Sequence, residues 1–296
     1  MSEDHAEAGA SSPPQTVFFL SDYGTEDEFV GVVHAVLTAG APGVTVIDLT
    51  HQIAVFDIRA GAFTLVRAVP YLGAGVVLAV VDPGVGSGRR GVCLEVGPGG
   101  PAARFFVGPD NGLLVEAAEL AGAAPIARAI ELASPPDTAG TAGTASVTFD
   151  GRDLFAPAAA ALSRGVPLEE LGHAIDPASL QRLPPPMVEH AQLMNGRRTL
   201  RAEVVWVDRF GNLQLAATAA LAQEAHVPGP GPGTLDLTLG TGHACTLRRI
   251  ETFADLDRGE LGLLVDASGH LAVVAGQASA AQTLAVIAGE RVTLTW

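Results

Sequence analysis

Val76-Val77-Leu78-Ala79-Val80-Val81-Asp82-Pro83-Gly84-Val85-Gly86-Ser87-Gly88-Arg89-Arg90 is an unbroken apolar run that ends in an acid and passes straight into a glycine loop closed by two bases. An apolar run with no polar face reads as a strand buried on both sides, as in a parallel sheet. Glycine and proline let the following backbone turn sharply and approach a ligand. Asp82 and Arg89 can then both point into a pocket at the carboxyl end of the sheet, where open α/β sheets do their chemistry. The alternative is a structural turn closed by an Asp/Arg salt bridge.

Two familiar glycine-loop readings fail on spacing. Gly84, Gly86 and Gly88 alternate, and Arg89 stands where a dinucleotide fingerprint requires its third glycine. The chain contains no lysine, which excludes a phosphate-loop lysine, a Schiff base and a pyridoxal anchor together.

Working outward, Val17 to Leu20 is a short strand that ends in Ser21-Asp22-Tyr23-Gly24, and Phe29 to Leu37 follows at helical spacing. Val44 to Leu49 gives another strand, Ile58 to Val69 a helix, and Gly91 to Val96 with Arg104 to Val107 a hairpin. Strands alternating with helices imply an α/β domain with a mostly parallel sheet, placed at residues 16–184. Ala133 to Ser146, rich in Ala, Gly, Thr and Pro, reads as a surface insertion, and Phe155 to Ser163 as a helix. Pro184-Pro185-Pro186 marks the domain boundary. Beyond it, Arg201 to Val207, Leu235 to Leu239, Leu261 to Val265, Leu271 to Val274 and Arg291 to Trp296 are short β-like runs. They predict a smaller all-β barrel or sandwich over 194–296.

With 296 residues the chain can bury two cores, and its formal charge of −15 argues against a nucleic-acid partner and mildly for cationic small molecules. No apolar stretch approaches the roughly 18–20 residues of a membrane span, and the first fifteen residues are acidic and polar, so a cytoplasmic protein is expected. Cys93 and Cys245 are expected as free thiols. No Cys-x-x-Cys or His-Glu-x-x-His spacing suggests zinc, and no metal or cofactor is expected.

Five segments have the composition of binding loops. At the end of its strand, Asp22 can accept two hydrogen bonds from a vicinal diol such as a ribose, whereas Asp27, just before Phe29, has the position of a helix cap. Asn111, between Asp110 and Gly112, reads as a turn residue. In Thr148-Phe149-Asp150-Gly151-Arg152-Asp153, Phe149 can face an aromatic base and Asp150 the reaction centre, while Arg152 and Asp153 form a salt-bridged pair that opens the next helix. In Asp208-Arg209-Phe210-Gly211-Asn212, a ring that stacks and an amide that reads a heterocycle edge flank a glycine. The alternative there is a plain hairpin turn.

Four pieces are distinctive: Asp-Pro-Gly-Val-Gly with Arg seven residues after the Asp, Gly-Pro-Asp-Asn-Gly-Leu-Leu, Gly-Arg-Asp-x-Phe-Ala-Pro, and Asp-x-Phe-Gly-Asn. In this order they closely resemble the S-adenosyl-L-methionine hydroxide adenosyltransferase family, related to fluorinating and chlorinating enzymes, from about Val17 to about Leu284. The resemblance implies an N-terminal α/β domain, a C-terminal β-barrel, and homotrimers with each ligand between one subunit's α/β domain and a neighbour's barrel. It also implies attack of a water-derived hydroxide on C5′ of S-adenosylmethionine, giving adenosine and methionine. By the same resemblance Asp82 accepts the proton or orients the water, and Arg89 favours the hydroxide-like state. Asp22 holds the ribose hydroxyls, Phe56 lies beside the ligand, Asp27 and Asp208 meet the methionine amine, and Phe210 and Asn212 contact the adenine.

Three positions depart from the family pattern. Asp150 stands where the hydrolases usually have histidine, so a neutral imidazole becomes a second carboxylate, and a proton-sharing pair with Asp82 is expected if the two lie close. In Asp266-Ala267-Ser268-Gly269 the residue Ala267 cannot offer a hydroxyl to the methionine carboxylate, which leaves Ser268 as the substitute. His34 occupies a helix position where relatives often have lysine, and His51 reads as a structural histidine. The competing functions are a non-catalytic adenosyl-ligand sensor and a halogenase, the latter disfavoured because a carboxylate at position 82 repels halide.

Overall fold

The apolar runs of the first half become the strands of one seven-stranded sheet. In chain order these are β1 (Val17–Ser21), β2 (Val46–Thr50), β3 (Gly75–Val80), β4 (Gly91–Val96), β5 (Arg104–Pro109), β6 (Arg128–Leu132) and β7 (Gly172–Ile175), laid side by side as β2-β1-β3-β5-β4-β6-β7. The computed structural model describes residues 15–97, 102–133 and 148–296. Apart from Ala133, the expected surface insertion lies outside them. The chain divides between Leu183 and Pro184 into two compact units, and the sheet belongs to the first.

Pairing is parallel from β2 through β1 and β3 to β5, and antiparallel from β5 through β4 and β6 to β7. The parallel half carries the site, and the expected β4–β5 hairpin begins the antiparallel half. Val76, Val77, Leu78, Ala79 and Val80 are all essentially out of water, as are Val17, Phe19 and Leu20. Both strands are buried on both faces, which is why their sequences show no alternation.

Among the described residues, four α-helices cover the sheet: α1 (Phe29–Gly40), α2 (Ile58–Ala68), α3 (Val115–Gly122) and α4 (Ala156–Ser163). Helix α1 buries Val33 and Leu37, one turn apart. A Cβ at Gly40 would lie 2.8 Å from that of Ala160, so the glycine lets α1 and the alanine-rich α4 approach closely. Asp57 caps α2 by accepting the Ala60 N–H at 2.9 Å.

β1 runs to β2 on one side, and the chain then crosses to place β3 on the other. The boundary between β1 and β3 is therefore a topological switch point, where helices leave the sheet in opposite directions and open a crevice beyond the strand ends.

The second unit has β8 (Val188–Gln192), β9 (Arg198–Val207), β10 (Leu213–Thr218), β11 (Thr234–Leu239), β12 (Ala244–Arg249), β13 (Leu261–Val265), β14 (His270–Ala275) and β15 (Arg291–Thr295). The order β10-β14-β13-β12-β11-β15-β9 closes because β9 also pairs with β10, and β8 flanks β9. It is a barrel rather than a sandwich. In β11 the alternation is plain: Leu235, Leu237 and Leu239 point inward, between more exposed neighbours.

Cys93 is buried in β4 and Cys245 half-buried in β12, both as free thiols. Among the described residues no helix is long and apolar enough to cross a membrane.

Candidate active site

Asp22 leaves the end of β1, and Asp82 leaves the neighbouring β3 after Val81. The register pairs Ser21 with Val80, and the Asp22 N–H donates to the Val80 carbonyl at 3.3 Å, so the two acids emerge side by side. Together with Phe56, Phe149 and Asp150 they line one cavity of about 320 Å³ at the switch point.

Arg89 joins two of these acids. Its Nε donates to Asp82 Oδ1 at 3.0 Å, and its Nη2 donates both to Asp82 Oδ2 and to Asp150 Oδ2. The guanidinium also lies 5.1 Å from the centroid of the Phe155 ring. Burial opposes the charge on Arg89, but hydrogen bonds and attraction from Asp82 and Asp150 outweigh it and hold its pKa above the ordinary value. Asp82 and Asp150 do come together, bridged by Arg89 rather than facing each other bare.

Asp22 is the carboxyl that this pocket pushes up. Burial raises its pKa, a hydrogen bond from the Phe56 N–H partly offsets this, and the charge of Asp82 adds to the rise. That Phe56 N–H meets Asp22 Oδ2 at 2.9 Å and holds Phe56 at φ 67°, in the left-handed region, with its ring two-thirds exposed.

Two wall residues escaped the sequence reading. Tyr23 and Phe29 form an aromatic cluster with Phe149, with ring centroids 5.3–5.8 Å apart. The cue was present: aromatics bracket the acidic Ser21–Asp27 loop as they do Asp150. Burial, then the charges of Asp22, Asp82 and Asp150, push the Tyr23 phenol well above its ordinary value, so it stays neutral. Gly151 makes room for it, because a Cβ there would overlap the Tyr23 hydroxyl. Gly151 opens a π-turn, Gly151–Phe155, before α4, and Arg152 and Asp153 form the expected pair at 2.7 Å.

The Gly108–Gly112 segment supports the site without entering it. Asn111 Nδ2 donates to the Val81 carbonyl at 2.9 Å, bracing the residue before Asp82, and its Oδ1 accepts the Leu113 N–H at 3.2 Å. Arg90 turns away from the pocket to buried Asp110 and to Ser179.

Asp27 is exposed, does not line the cavity and does not cap α1, whose first residues have no side-chain cap. In the second unit, Asp208 folds its own loop: Oδ1 accepts the N–H groups of Phe210 at 2.8 Å and Asn212 at 2.9 Å, and Oδ2 accepts from Asn212 Nδ2 at 2.7 Å. Phe210 is left 76% exposed. Ser268 is exposed in the β13–β14 turn, where its N–H donates to Asp266 Oδ1 at 2.8 Å. Pairing of Leu213 with Val273 and of Thr218 with His270 puts the Asp208–Asn212 loop and the Ser268 turn at opposite ends of the β10–β14 ladder. Gln214, two residues after Asn212, nevertheless donates to Asp266 Oδ2 at 2.6 Å and so links the start of β10 to the turn that carries Ser268.

Fold and pocket together define an α/β unit with a ligand cavity at its switch point, followed in sequence by a closed β-barrel. Residues 17–172 match the SAM hydroxide adenosyltransferase N-terminal domain and residues 202–293 the C-terminal domain of the same name, and the chain belongs to that family. It is 42% identical over 284 residues to an (R)-S-adenosyl-L-methionine hydrolase of Salinispora tropica, covering 96% of this chain and 99% of that protein. A protein of the same name from Thermus thermophilus is 39% identical over 94% of this chain and 98% of its own length. A fluorinase of Actinoplanes sp. is 27% identical over 94% and 97%. Among solved structures, an uncharacterized conserved protein from Thermotoga maritima superposes with a TM-score of 0.80 at 30% identity, over 94% of this chain and 99% of that one.

Proposed function

We propose that this protein is an enzyme that hydrolyses S-adenosyl-L-methionine to adenosine and L-methionine through attack of a water-derived hydroxide on C5′. The observation that carries this reading is the Asp82–Arg89–Asp150 cluster at the strand end beside Asp22. Three carboxylates line the cavity and one guanidinium pairs with two of them, an excess of negative charge that suits a sulfonium cation. The sulfonium leaves as a neutral thioether and needs no general acid, so the residues have only to orient and deprotonate a water in line with the C5′–S bond. Asp82 or Asp150 takes the proton, while Arg89 keeps both from repelling the developing hydroxide fully. Asp22 holds the ribose diol, and Tyr23, Phe29, Phe56 and Phe149 give the ligand an aromatic surround. The same excess of carboxylate disfavours a halide nucleophile.

The remaining ligand contacts are assigned by family resemblance. Asp27 and Asp208 meet the methionine amine, Phe210 and Asn212 the adenine, and Ser268 the carboxylate, in a homotrimer where a neighbour's barrel completes each site. The exposed Phe210 ring supports this assignment. No further cofactor is required by the chemistry, and a cytoplasmic setting supplies the substrate.

The test is incubation with each sulfonium epimer of S-adenosyl-L-methionine in ¹⁸O-labelled water containing chloride, followed by mass analysis of the nucleosides. Labelled adenosine that disappears in Asp82→Ala establishes direct attack on C5′, and a chlorinated nucleoside overturns it. A binding protein without turnover is the second reading. The observation on its side is that the charge of Arg89 is already neutralised by two carboxylates, and tight binding with unchanged substrate would select it. A sedimentation mass of three chains would support the trimer.

A further inference from the structure

We propose that His34, Asp48 and His51 form a site for a divalent first-row transition ion, of the zinc type, at the sheet edge behind the Asp22 loop. His34 projects from α1, Asp48 from the edge strand β2, and His51 from the segment just after β2. His34 Nε2 lies 2.8 Å and His51 Nε2 3.1 Å from the same oxygen, Asp48 Oδ1, and the ligand atoms of all three lie within 4.8 Å of one another. The edge of a tetrahedron with zinc-ligand bonds of 2.0–2.1 Å is about 3.3 Å, so small rotations of the side chains admit an ion.

The buried histidine shows why hydrogen bonding alone leaves the cluster incomplete. His51 is 5% exposed, its Nδ1 is 2.8 Å from Ser21 Oγ, and its Nε2 has no aligned hydrogen-bond partner despite the nearby carboxylate. With the proton on Nδ1 and donated to Ser21, the Nε2 lone pair faces a carboxylate oxygen, acceptor against acceptor. With the proton on Nε2, its N–H has only Asp48 Oδ1, 3.1 Å away, poorly aligned and shared with His34 Nε2 at 2.8 Å. A cation held by the two Nε2 atoms and the carboxylate removes both defects.

The surroundings suit such an ion. Ser21 Oγ can accept from the His51 Nδ1–H in the tautomer that leaves Nε2 free for an ion, which is the role of an outer partner to a ligating imidazole. Phe19 backs the cluster, 4.5 Å from the His51 ring and 6.1 Å from that of His34. His34 and Asp48 are 35% and 40% exposed, leaving water room to complete the coordination. Imidazole nitrogen with one carboxylate favours zinc, nickel, cobalt or copper over magnesium and calcium.

An ion there would tie α1 to β2 and brace the substrate loop from behind. Ser21 precedes Asp22, and the His51 carbonyl accepts the Gly24 N–H at 2.8 Å. The sequence reading found no metal because the ligands are scattered over two elements and the following segment rather than set in a contiguous motif.

The test is titration of the tag-free, chelator-stripped chain with Co²⁺, read by ligand-field absorption, calorimetry and the melting temperature. The expected result is one Co²⁺ per chain, visible bands of a four- or five-coordinate nitrogen-oxygen site, and an upward shift in melting temperature. Ser21→Ala should weaken binding by roughly 10–100-fold. His34→Lys should weaken it further: its ammonium can pair with Asp48 but has no lone pair to give at neutral pH. If His34→Lys does not fold, the nearly isosteric Asp48→Asn serves in its place. Absence of a saturable Co²⁺ site, or binding undiminished in these variants, overturns the proposal.

Discussion

Asp82 combines the two properties that the proposed reaction asks of one residue, a position at the strand end and a hydrogen-bonded cation that keeps its carboxylate oriented. Asp82→Asn should lower kcat by about 10²–10⁴-fold while KM changes little, measured by adenosine release. Asp22 should behave differently. Its folded-state pKa is raised, so the stability linked to it is fully present below the unfolded value and lost as pH rises through the folded one. Asp22→Asn should therefore match or exceed the wild type in denaturant midpoint at neutral pH, with the difference vanishing in acid, yet bind substrate more weakly. Gly151→Ala drives a methyl group into the Tyr23 hydroxyl and should cost about 1–3 kcal/mol in urea melts, with partial recovery in Gly151→Ala/Tyr23→Phe. Asp22, Asp82 and Arg89 were legible in the sequence because each follows a strand or a glycine loop. Tyr23 was not assigned, since aromatics around an acidic loop hint at a wall but do not say which rings meet across the fold. Asp27, assigned through the family pattern, lies off the cavity lining in this unit.

At the scale of elements, the site is held by strand ends and by one clasp from a neighbouring loop. Asn111 was read as a turn residue, and its side chain does form the turn, but the same amide also holds the Val81 carbonyl. Asn111→Ala leaves that carbonyl without its partner and should cost about 1–3 kcal/mol in stability. Its distinguishing effect should be a fall in kcat out of proportion to KM, because Asp82 loses its neighbour's anchor. The buried strands β1 and β3 were readable as continuous apolar runs. β10 was not: it carries Gln214, which is buried and donates to Asp266 Oδ2 at 2.6 Å, and its alanines have weak strand preference. β12, with Thr246, Arg248 and Arg249, hides its strand character among polar residues for a related reason. Arg249 is buried there and donates to the carbonyls of Pro228, Ile250 and Leu263, contacts that no local pattern announces.

At the scale of the whole molecule, the triple proline marked the division between units because proline cannot extend either the sheet before it or the barrel after it. Closure of the barrel was less legible. Whether β9 and β10 join its ends depends on pairing between residues far apart in sequence, and a sandwich would show the same alternation. Since β9 pairs with both β10 and β15, the barrel closes on its own strands. A fragment spanning Pro184–Trp296 should therefore unfold cooperatively, with a single thermal transition in circular dichroism and no binding of S-adenosyl-L-methionine.

The pairing of Ser21 with Val80 has a consequence for how this family diversifies. It sets the residue proposed to hold the nucleoside, one position past Ser21, and the residue proposed to govern the nucleophile, two positions past Val80, on neighbouring strand ends, so their separation follows from the sheet. On the proposed mechanism, exchange of the side chain at position 82 should change the incoming atom while the grip on the substrate stays where it was. Such a chassis accounts for full-length similarity to proteins named for two different reactions, a hydrolase and a fluorinase. It also makes position 82 the first place to redirect the chemistry.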